Sequence, residues 1–131
     1  MHTIISDREL IQSARKARER AYAPYSDSKI GAALFSSGKL YTGFNIENAS
    51  YSLSICAERV AAINALLDNS KDFQKIAIVS GDEKFPYPCG ACCQFLSEFA
   101  RDMEVILVNG KGNLEKTTLK ELIPKPFIFS E

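Results

Sequence analysis

The sequence predicts an α/β protein with three α/β/α layers and a central five-stranded sheet. Helical and strand-like apolar patterns follow one another in the order α-β-β-α-β-α-β-β. Such mixed order favours a central sheet with helices packed on its faces. The 131 residues suit a single domain, residues 1–131, that can bury a core without disulfides. A hydrophobic fraction of 46% and a charged fraction of 24% also fit an ordinary globular protein.

The first half of the chain predicts a helix and then a β-hairpin. Ser6-x-x-Glu9 has the form of a capping box, and apolar residues recur at helical spacing over 7–23. An Ala-Pro pair should end this helix, because proline disfavours helical backbone at the residue before it. Two apolar runs, 30–35 and 40–45, are joined by Ser-Ser-Gly-Lys and predict the hairpin. A loop rich in Asn and Ser follows.

The second half predicts two helices that alternate with three strands. The run 56–67 is apolar on most sides, so we expect a buried helix. Another helix is predicted over 90–101, opened by Pro-Cys-Gly. Apolar runs predict strands over 76–79, 105–108 and, more weakly, 114–117. A helical turn over 119–123 ends at a proline.

The charge pattern and the N-terminal segment exclude several classes of function. The chain has 16 basic and 16 acidic residues and no strongly basic segment, so the charge signature of a nucleic-acid-binding protein is missing. A small-molecule substrate is favoured instead. Met-His-Thr-Ile-Ile-Ser-Asp lacks the pattern of a signal peptide, and no apolar run approaches the length of a membrane span. We therefore expect a cytoplasmic protein, whose thiols stay reduced.

Three of the four cysteines lie in a pattern that indicates a catalytic zinc site. Cys56-Ala-Glu58 begins one predicted helix, and Pro88-Cys89-Gly-Ala-Cys92 opens another. The free N–H groups of a helix start favour thiolate over thiol. Three sulfur ligands leave a tetrahedral zinc ion one position short, which water can fill. The Glu58 carboxylate beside that water could carry its proton.

Alternatives to a catalytic zinc site remain open at this point. The only histidine is His2, which nearly excludes a histidine-containing site, and Arg59 is the candidate cation that would moderate the thiolate charge. Cys93 is expected roughly 100° around the helix axis from Cys92, and so to pack beside the site rather than bind the ion. A redox C-x-x-C pair or a buried, inert Cys56 is also compatible with single motifs. A non-catalytic structural zinc module would need Cys93 or His2 as its fourth ligand.

The complete pattern resembles the small, homotetrameric, zinc-dependent cytidine deaminases of the cytidine/deoxycytidylate deaminase superfamily. The likeness covers nearly the whole chain. It rests on Ala21-Tyr-Ala-Pro-Tyr-Ser26, Gly31-Ala-Ala-Leu34, Asn45-Ile-Glu-Asn48, Cys56-Ala-Glu-Arg59, Pro88-Cys-Gly-Ala-Cys92 and Glu121-Leu-Ile-Pro124. The resemblance implies a mixed sheet of the cytidine deaminase-like fold and hydrolysis of cytidine and 2′-deoxycytidine to the uridines and ammonia. It also implies one Zn²⁺ per subunit and a homotetramer with shared active sites.

The resemblance implies a role for each matching residue. Cys56, Cys89 and Cys92 would hold zinc, and Glu58 would shuttle protons between the attacking water and the pyrimidine. The backbone at Ala57 would contact the base. Residues that would grip the ribose hydroxyls are Asn45 and Glu47, which without the resemblance would be interpreted as a loop-capping pair. Positions that match walls contributed by a neighbouring subunit are Ala49, Tyr51 and, as an aromatic wall near the base, Phe127.

The chain departs from the family pattern at two positions. The family commonly has Phe where this chain has Ser28, and often has Arg where this chain has Cys93. The loss of an aromatic wall could widen the pocket, which motivates an alternative function as a deaminase of a modified nucleoside or a nucleoside antibiotic. Asn45-Ile-Glu-Asn48 argues against that alternative. The second departure leaves Arg59 as the only obvious cation beside the thiolates.

Overall fold

The structure is a computed structural model that describes residues 4–129, so the expectation for His2 lies outside the described residues. It contains four α-helices, five strands and one short 3₁₀ turn over Tyr51–Leu53. The helices are α1 (Asp7–Arg18), α2 (Ala57–Leu67), α3 (Gly90–Ser97) and α4 (Leu119–Leu122). The strands are β1 (Ile30–Ser36), β2 (Lys39–Phe44), β3 (Phe73–Ser80), β4 (Glu104–Val108) and β5 (Leu114–Thr118).

The five strands form one mixed sheet, as predicted, and their order is β2-β1-β3-β4-β5. Only β3 and β4 run parallel, and the other three pairs are antiparallel. The predicted hairpin joins β1 to β2 through Ser37 and Gly38, which both have positive φ. Two such residues form the kind of turn whose twist matches that of paired strands. None of the described helices has the length and apolar character needed to cross a membrane.

Helices cover both faces of the sheet, which confirms the three-layer prediction. Successive strand residues point to opposite faces, so the core divides into two clusters. One cluster places Ala32, Leu34, Ile76 and Ile78 against α2 and α3. The other places Ala33, Phe35, Ala77 and Val79 against Leu10, Ile11 and Ala14 of α1.

Helix α1 ends at Arg18, five residues before the end predicted from the Ala-Pro pair. Its start is as predicted, because the Ser6 hydroxyl accepts a hydrogen bond from the Glu9 N–H at 3.1 Å. Beyond the helix, the backbone of Tyr22 forms a bridge with Ile46. The chain therefore uses its backbone groups after Arg18 to hold the loop that follows β2, a tertiary contact that overrides helical propensity.

Helix α2 lies directly on the hairpin because small residues face each other. A Cβ atom at Gly43 would lie 2.4 Å from the Ala57 carbonyl oxygen, so only glycine allows this approach. The buried face of α2 consists mainly of alanines, whereas Ile63 and Leu67 on its outer side are 41% and 81% exposed. The expectation of a buried helix is therefore correct for one side and wrong for the other in the described chain.

Helix α3 is also shorter than predicted and ends at Ser97, after which the chain makes a tighter turn. The N–H groups of Phe99 and Ala100 both donate to the Leu96 carbonyl, at 3.0 and 3.1 Å. Helices α2 and α3 have Cys56 and Cys89 as their N-cap residues, and the sulfur atoms of these two residues lie within 4.8 Å of each other. This arrangement brings the two cysteine motifs together.

Candidate metal centre and its cleft

The three predicted ligands form one cluster. Cys56 and Cys89 are the N-cap residues of α2 and α3, and Cys92 lies in the first turn of α3. Their Sγ atoms all lie within 4.8 Å of one another, with 3.5 Å between those of Cys89 and Cys92. Sulfurs that are each about 2.3 Å from one zinc ion lie roughly 4 Å apart. The donor set and its spacing therefore fit Zn²⁺.

Neighbouring groups shift the pKa values of two of the three thiols. A hydrogen bond from the Cys92 thiol lowers the pKa of Cys56 to about 5, and the nearby Arg59 guanidinium makes a smaller contribution in the same direction. The same hydrogen bond, together with burial, raises the pKa of Cys92. Arg59 Nη2 lies 3.9 Å from Cys56 Sγ, and its buried Nε has no partner among residues 4–129. The predicted cation thus lies beside the thiolates.

Glu58 is buried immediately beside this cluster. Its side chain is 4% exposed, and burial raises its pKa to about 7. A carboxyl group with a pKa near neutrality can both accept and return a proton at physiological pH. Because Glu58 lies in the first turn of α2, two residues after Cys56, the same helix start positions a predicted metal ligand and the predicted proton carrier.

A cleft of about 290 Å³ opens at the cluster. Its wall includes Cys56, Cys89, Ala57 and Glu58 at the metal end. A volume of this size is close to the lower limit for small-molecule pockets, roughly 300 Å³. The cleft can therefore hold a small molecule next to the sulfur cluster and the Glu58 carboxyl group.

Asn45 lines the cleft and also fastens the start of β1. Its Oδ1 accepts a hydrogen bond from the Ile30 N–H, and its Nδ2 donates one to the Ser28 carbonyl, both at 2.8 Å. One N–H of the amide remains for a ligand. Asn45 thus caps the loop, as its alternative interpretation predicts, and still presents a donor to the cleft.

Glu47, also on the cleft wall, is buried and surrounded by donors. Its carboxylate accepts hydrogen bonds from the Tyr25 and Ser26 N–H groups at 3.0 and 3.1 Å, from the Ser26 hydroxyl, and from the Tyr51 hydroxyl at 3.3 Å. These contacts, with the Ser26 hydroxyl first, lower the pKa of Glu47. Glu47 is therefore ionised at neutral pH and holds the 25–26 turn against the cleft.

The three positions expected at a shared wall lie in different places. Tyr51 lines the cleft of its own chain, whereas Ala49 is exposed and lies off the cleft wall. Phe127 is 71% exposed and also lies off that wall. Both backbone groups of Phe127 are bound by Gln94, whose Oε1 accepts from the N–H at 2.9 Å and whose Nε2 donates to the carbonyl at 3.0 Å. Gln94, on α3, was not singled out by sequence reasoning.

The two departures from the family pattern have different surroundings. Ser28 is turned away from the cleft wall, and its hydroxyl donates to the Asp82 carboxylate at 2.7 Å. Cys93 is buried in the core, with its Sγ 3.6 Å from the Pro88 carbonyl oxygen, and lies outside the group of three sulfurs. The wall contains one aromatic residue that the motifs did not indicate, Tyr87.

Comparison with known proteins places this geometry among the deaminases. Residues 4–109 match the model of the cytidine and deoxycytidylate deaminase zinc-binding region. The chain is 46% identical over 121 residues to a cytidine deaminase of Sporosarcina psychrophila, covering 91% of this chain and 89% of that protein. It is 30% identical over 139 residues to a blasticidin-S deaminase of Bacillus cereus, covering 95% and 96%. The solved cytidine deaminase of Burkholderia pseudomallei superposes with a TM-score of 0.90 at 42% identity, covering 94% and 100%.

Proposed function

This chain belongs to the cytidine and deoxycytidylate deaminase family, and we propose that it catalyses the zinc-dependent hydrolytic deamination of cytidine and 2′-deoxycytidine. The products are uridine or 2′-deoxyuridine and ammonia, as in pyrimidine salvage. The observation that carries this proposal is the cluster of three sulfurs with a buried Glu58 at one end of a small-molecule cleft. All of these residues belong to one deaminase domain, residues 1–131.

Glu58 is the proton carrier of the reaction. It accepts a proton from the attacking water and passes it to N3 of the base, as the water oxygen bonds to C4. It then takes the proton of the new C4 hydroxyl and passes it to the amino group; the C4–N bond breaks as the C4 carbonyl forms, and ammonia leaves. Cys56, Cys89 and Cys92 would hold the zinc ion, which when bound would supply the electrostatic activation that makes water nucleophilic at neutral pH. Burial of Glu58 keeps bulk water from competing for the transferred proton.

The opposite end of the cleft binds the sugar. The free N–H of Asn45 donates to a ribose hydroxyl, and Glu47 accepts from one. The Glu47 carboxylate already has four donors, of which the Tyr51 hydroxyl at 3.3 Å is the most distant. A sugar hydroxyl can therefore take the place of Tyr51 while the 25–26 turn stays bound. The backbone at Ala57, at the metal end, contacts the base.

The enzyme works as a cytosolic homotetramer with shared sites. The described surface leaves large apolar residues uncovered, a pattern typical of an interface. They include Leu53 at 64%, Leu67 at 81% and Phe127 at 71% exposure. Phe127 is exposed and lies off the wall of its own cleft, and Gln94 binds its backbone. These observations support a role for Phe127 at the cleft of a second copy. A cytosolic location keeps the thiols reduced for zinc.

Mixed tetramers test whether Phe127 acts across subunits. Phe127→Ala is expected to lower kcat/KM for cytidine about tenfold, the size of a lost base–aromatic contact. Phe127→Ala chains are then co-expressed with inactive Glu58→Gln chains, and the mixed tetramers are isolated through two affinity tags. Part of their sites should recover the wild-type kcat/KM, namely the sites that combine Glu58 of a Phe127→Ala chain with Phe127 of a Glu58→Gln chain. If the active sites of the mixed tetramers show only the kcat/KM of Phe127→Ala, the sites are not shared between subunits. Phe129→Ala, 92% exposed and two residues away, is the matched control.

A modified cytosine nucleoside is the second candidate substrate. Two observations favour it: Ser28 places no aromatic ring on the cleft wall, and a blasticidin-S deaminase is among the relatives. The cleft of this chain would then accept a substituent bulkier than any that cytidine carries.

A nucleoside panel, with zinc content measured on the same sample, tests the proposed function and separates the two candidates. We expect kcat/KM values for cytidine and 2′-deoxycytidine of at least about 10⁴ M⁻¹s⁻¹, measured by ammonia release. Bulky cytosine nucleosides should be poorer substrates. Negligible cytidine turnover beside fast turnover of a bulky nucleoside would reverse the assignment.

A further inference from the structure

Tyr87 is an aromatic residue of the cleft wall at its metal end. It precedes Cys89 by two residues and lines the same cleft as Ala57 and Glu58. The side chain is not part of the core, since Tyr87 is 53% exposed. Its surface is therefore available to a molecule that enters the cleft.

Several contacts hold Tyr87 in place despite this exposure. Prolines at 86 and 88 fix the backbone on both sides. The Tyr87 N–H donates to the Phe85 carbonyl at 2.9 Å, and the two rings pack in a tilted pair with centroids 6.2 Å apart. The Tyr87 hydroxyl donates to the Glu115 carboxylate on β5. A ring held in this way loses little further freedom when a ligand packs on it.

The two aromatic residues on the described cleft wall have different neighbours. The Tyr51 hydroxyl donates to Glu47, a proposed sugar contact, whereas Tyr87 precedes the proposed metal ligand Cys89 by two residues. Deamination requires C4 of the base to lie at the metal end. Ser28 adds nothing to this wall, because its hydroxyl is bound to Asp82.

We propose that Tyr87 supplies the aromatic surface against which the pyrimidine ring packs, and that it thereby determines the affinity for the nucleoside. The inference rests on the proposed function. Every nucleobase has a flat π-face, and an aromatic side chain held beside it contributes binding that a flexible apolar side chain does not match. The contact is made equally by substrate and product, so it acts on binding rather than on the rate of the chemical step.

Substitution of the ring by an apolar side chain tests the proposal. Tyr87→Leu should raise KM for cytidine about tenfold, the factor typical of a base–aromatic contact. The kcat value should change less than threefold, and the inhibition constant of uridine should rise by the same factor as KM. Tyr87→Phe, which keeps the ring and loses only the bond to Glu115, should keep KM within threefold of wild type.

Tyr41→Leu is the matched control. The Tyr41 hydroxyl also donates to a carboxylate, that of Asp68, but Tyr41 lies outside the cleft wall. Its KM should remain that of the wild type. An unchanged KM in Tyr87→Leu, or equal losses in Tyr87→Leu and Tyr87→Phe, would overturn the proposal. A lower kcat with unchanged KM and uridine inhibition would do the same, because it indicates a structural role. Failure of the wild type to deaminate cytidine would instead refute the proposed function.

Discussion

Replacing Glu58 with Gln should lower kcat for cytidine about 10⁴-fold, the upper range for one general acid–base group. Gln has nearly the shape of a protonated Glu, so the buried position stays filled, but an amide cannot carry the proton from water to the base. Ammonia release under saturating cytidine measures the loss. Zinc content and the thermal unfolding midpoint should match those of the wild type, since Glu58 is not one of the clustered sulfur ligands.

Two further measurements make the Glu58 result decisive. Uridine should still bind Glu58→Gln, because the substitution leaves the proposed sugar contacts, Asn45 and Glu47, unchanged. Glu98→Gln is the matched control, since Glu98 is exposed at the end of α3 and should leave kcat unchanged. A Glu58→Gln variant with near-normal turnover would show that another group moves the proton.

The sequence predicts the metal end of the site well because that end depends on local rules. Each cysteine motif stands at a helix start, where capping geometry and free N–H groups determine its position. Convergence of the two helix starts then follows from the mixed sheet, whose single parallel pair brings β3 and β4 side by side. For the same reason, the separation of Cys93 from the three sulfurs could be predicted from the helical turn alone.

Several contacts in and around the cleft could not be predicted, because they join distant parts of the chain. Tyr87 is tied to Glu115, and Gln94 is tied to Phe127; neither pair has a sequence pattern. The shortened α1 has the same cause, since the backbone after Arg18 pairs with residues that follow β2. Secondary-structure propensity carries no information on such partners.

Removing a single sulfur should abolish both zinc binding and turnover. Cys92→Ala is expected to retain no zinc after dialysis and to show no measurable ammonia release, because two sulfurs remain where the described cluster has three. Loss of zinc should also lower the unfolding midpoint, since the ion binds the folded state and not the unfolded chain. Zinc content and calorimetric unfolding of the same sample measure the two effects.

The other cysteines decide between the alternative explanations of this centre. Cys56→Ala should lose zinc as completely as Cys92→Ala, whereas a redox pair formed by Cys89 and Cys92 would keep its chemistry without Cys56. Cys93→Ala should keep full zinc and activity, because Cys93 Sγ is directed to the Pro88 carbonyl and not to the cluster. Loss of fold and zinc in Cys93→Ala would indicate a closed structural site with four sulfurs. Such a site has no open position for water and could not support hydrolysis.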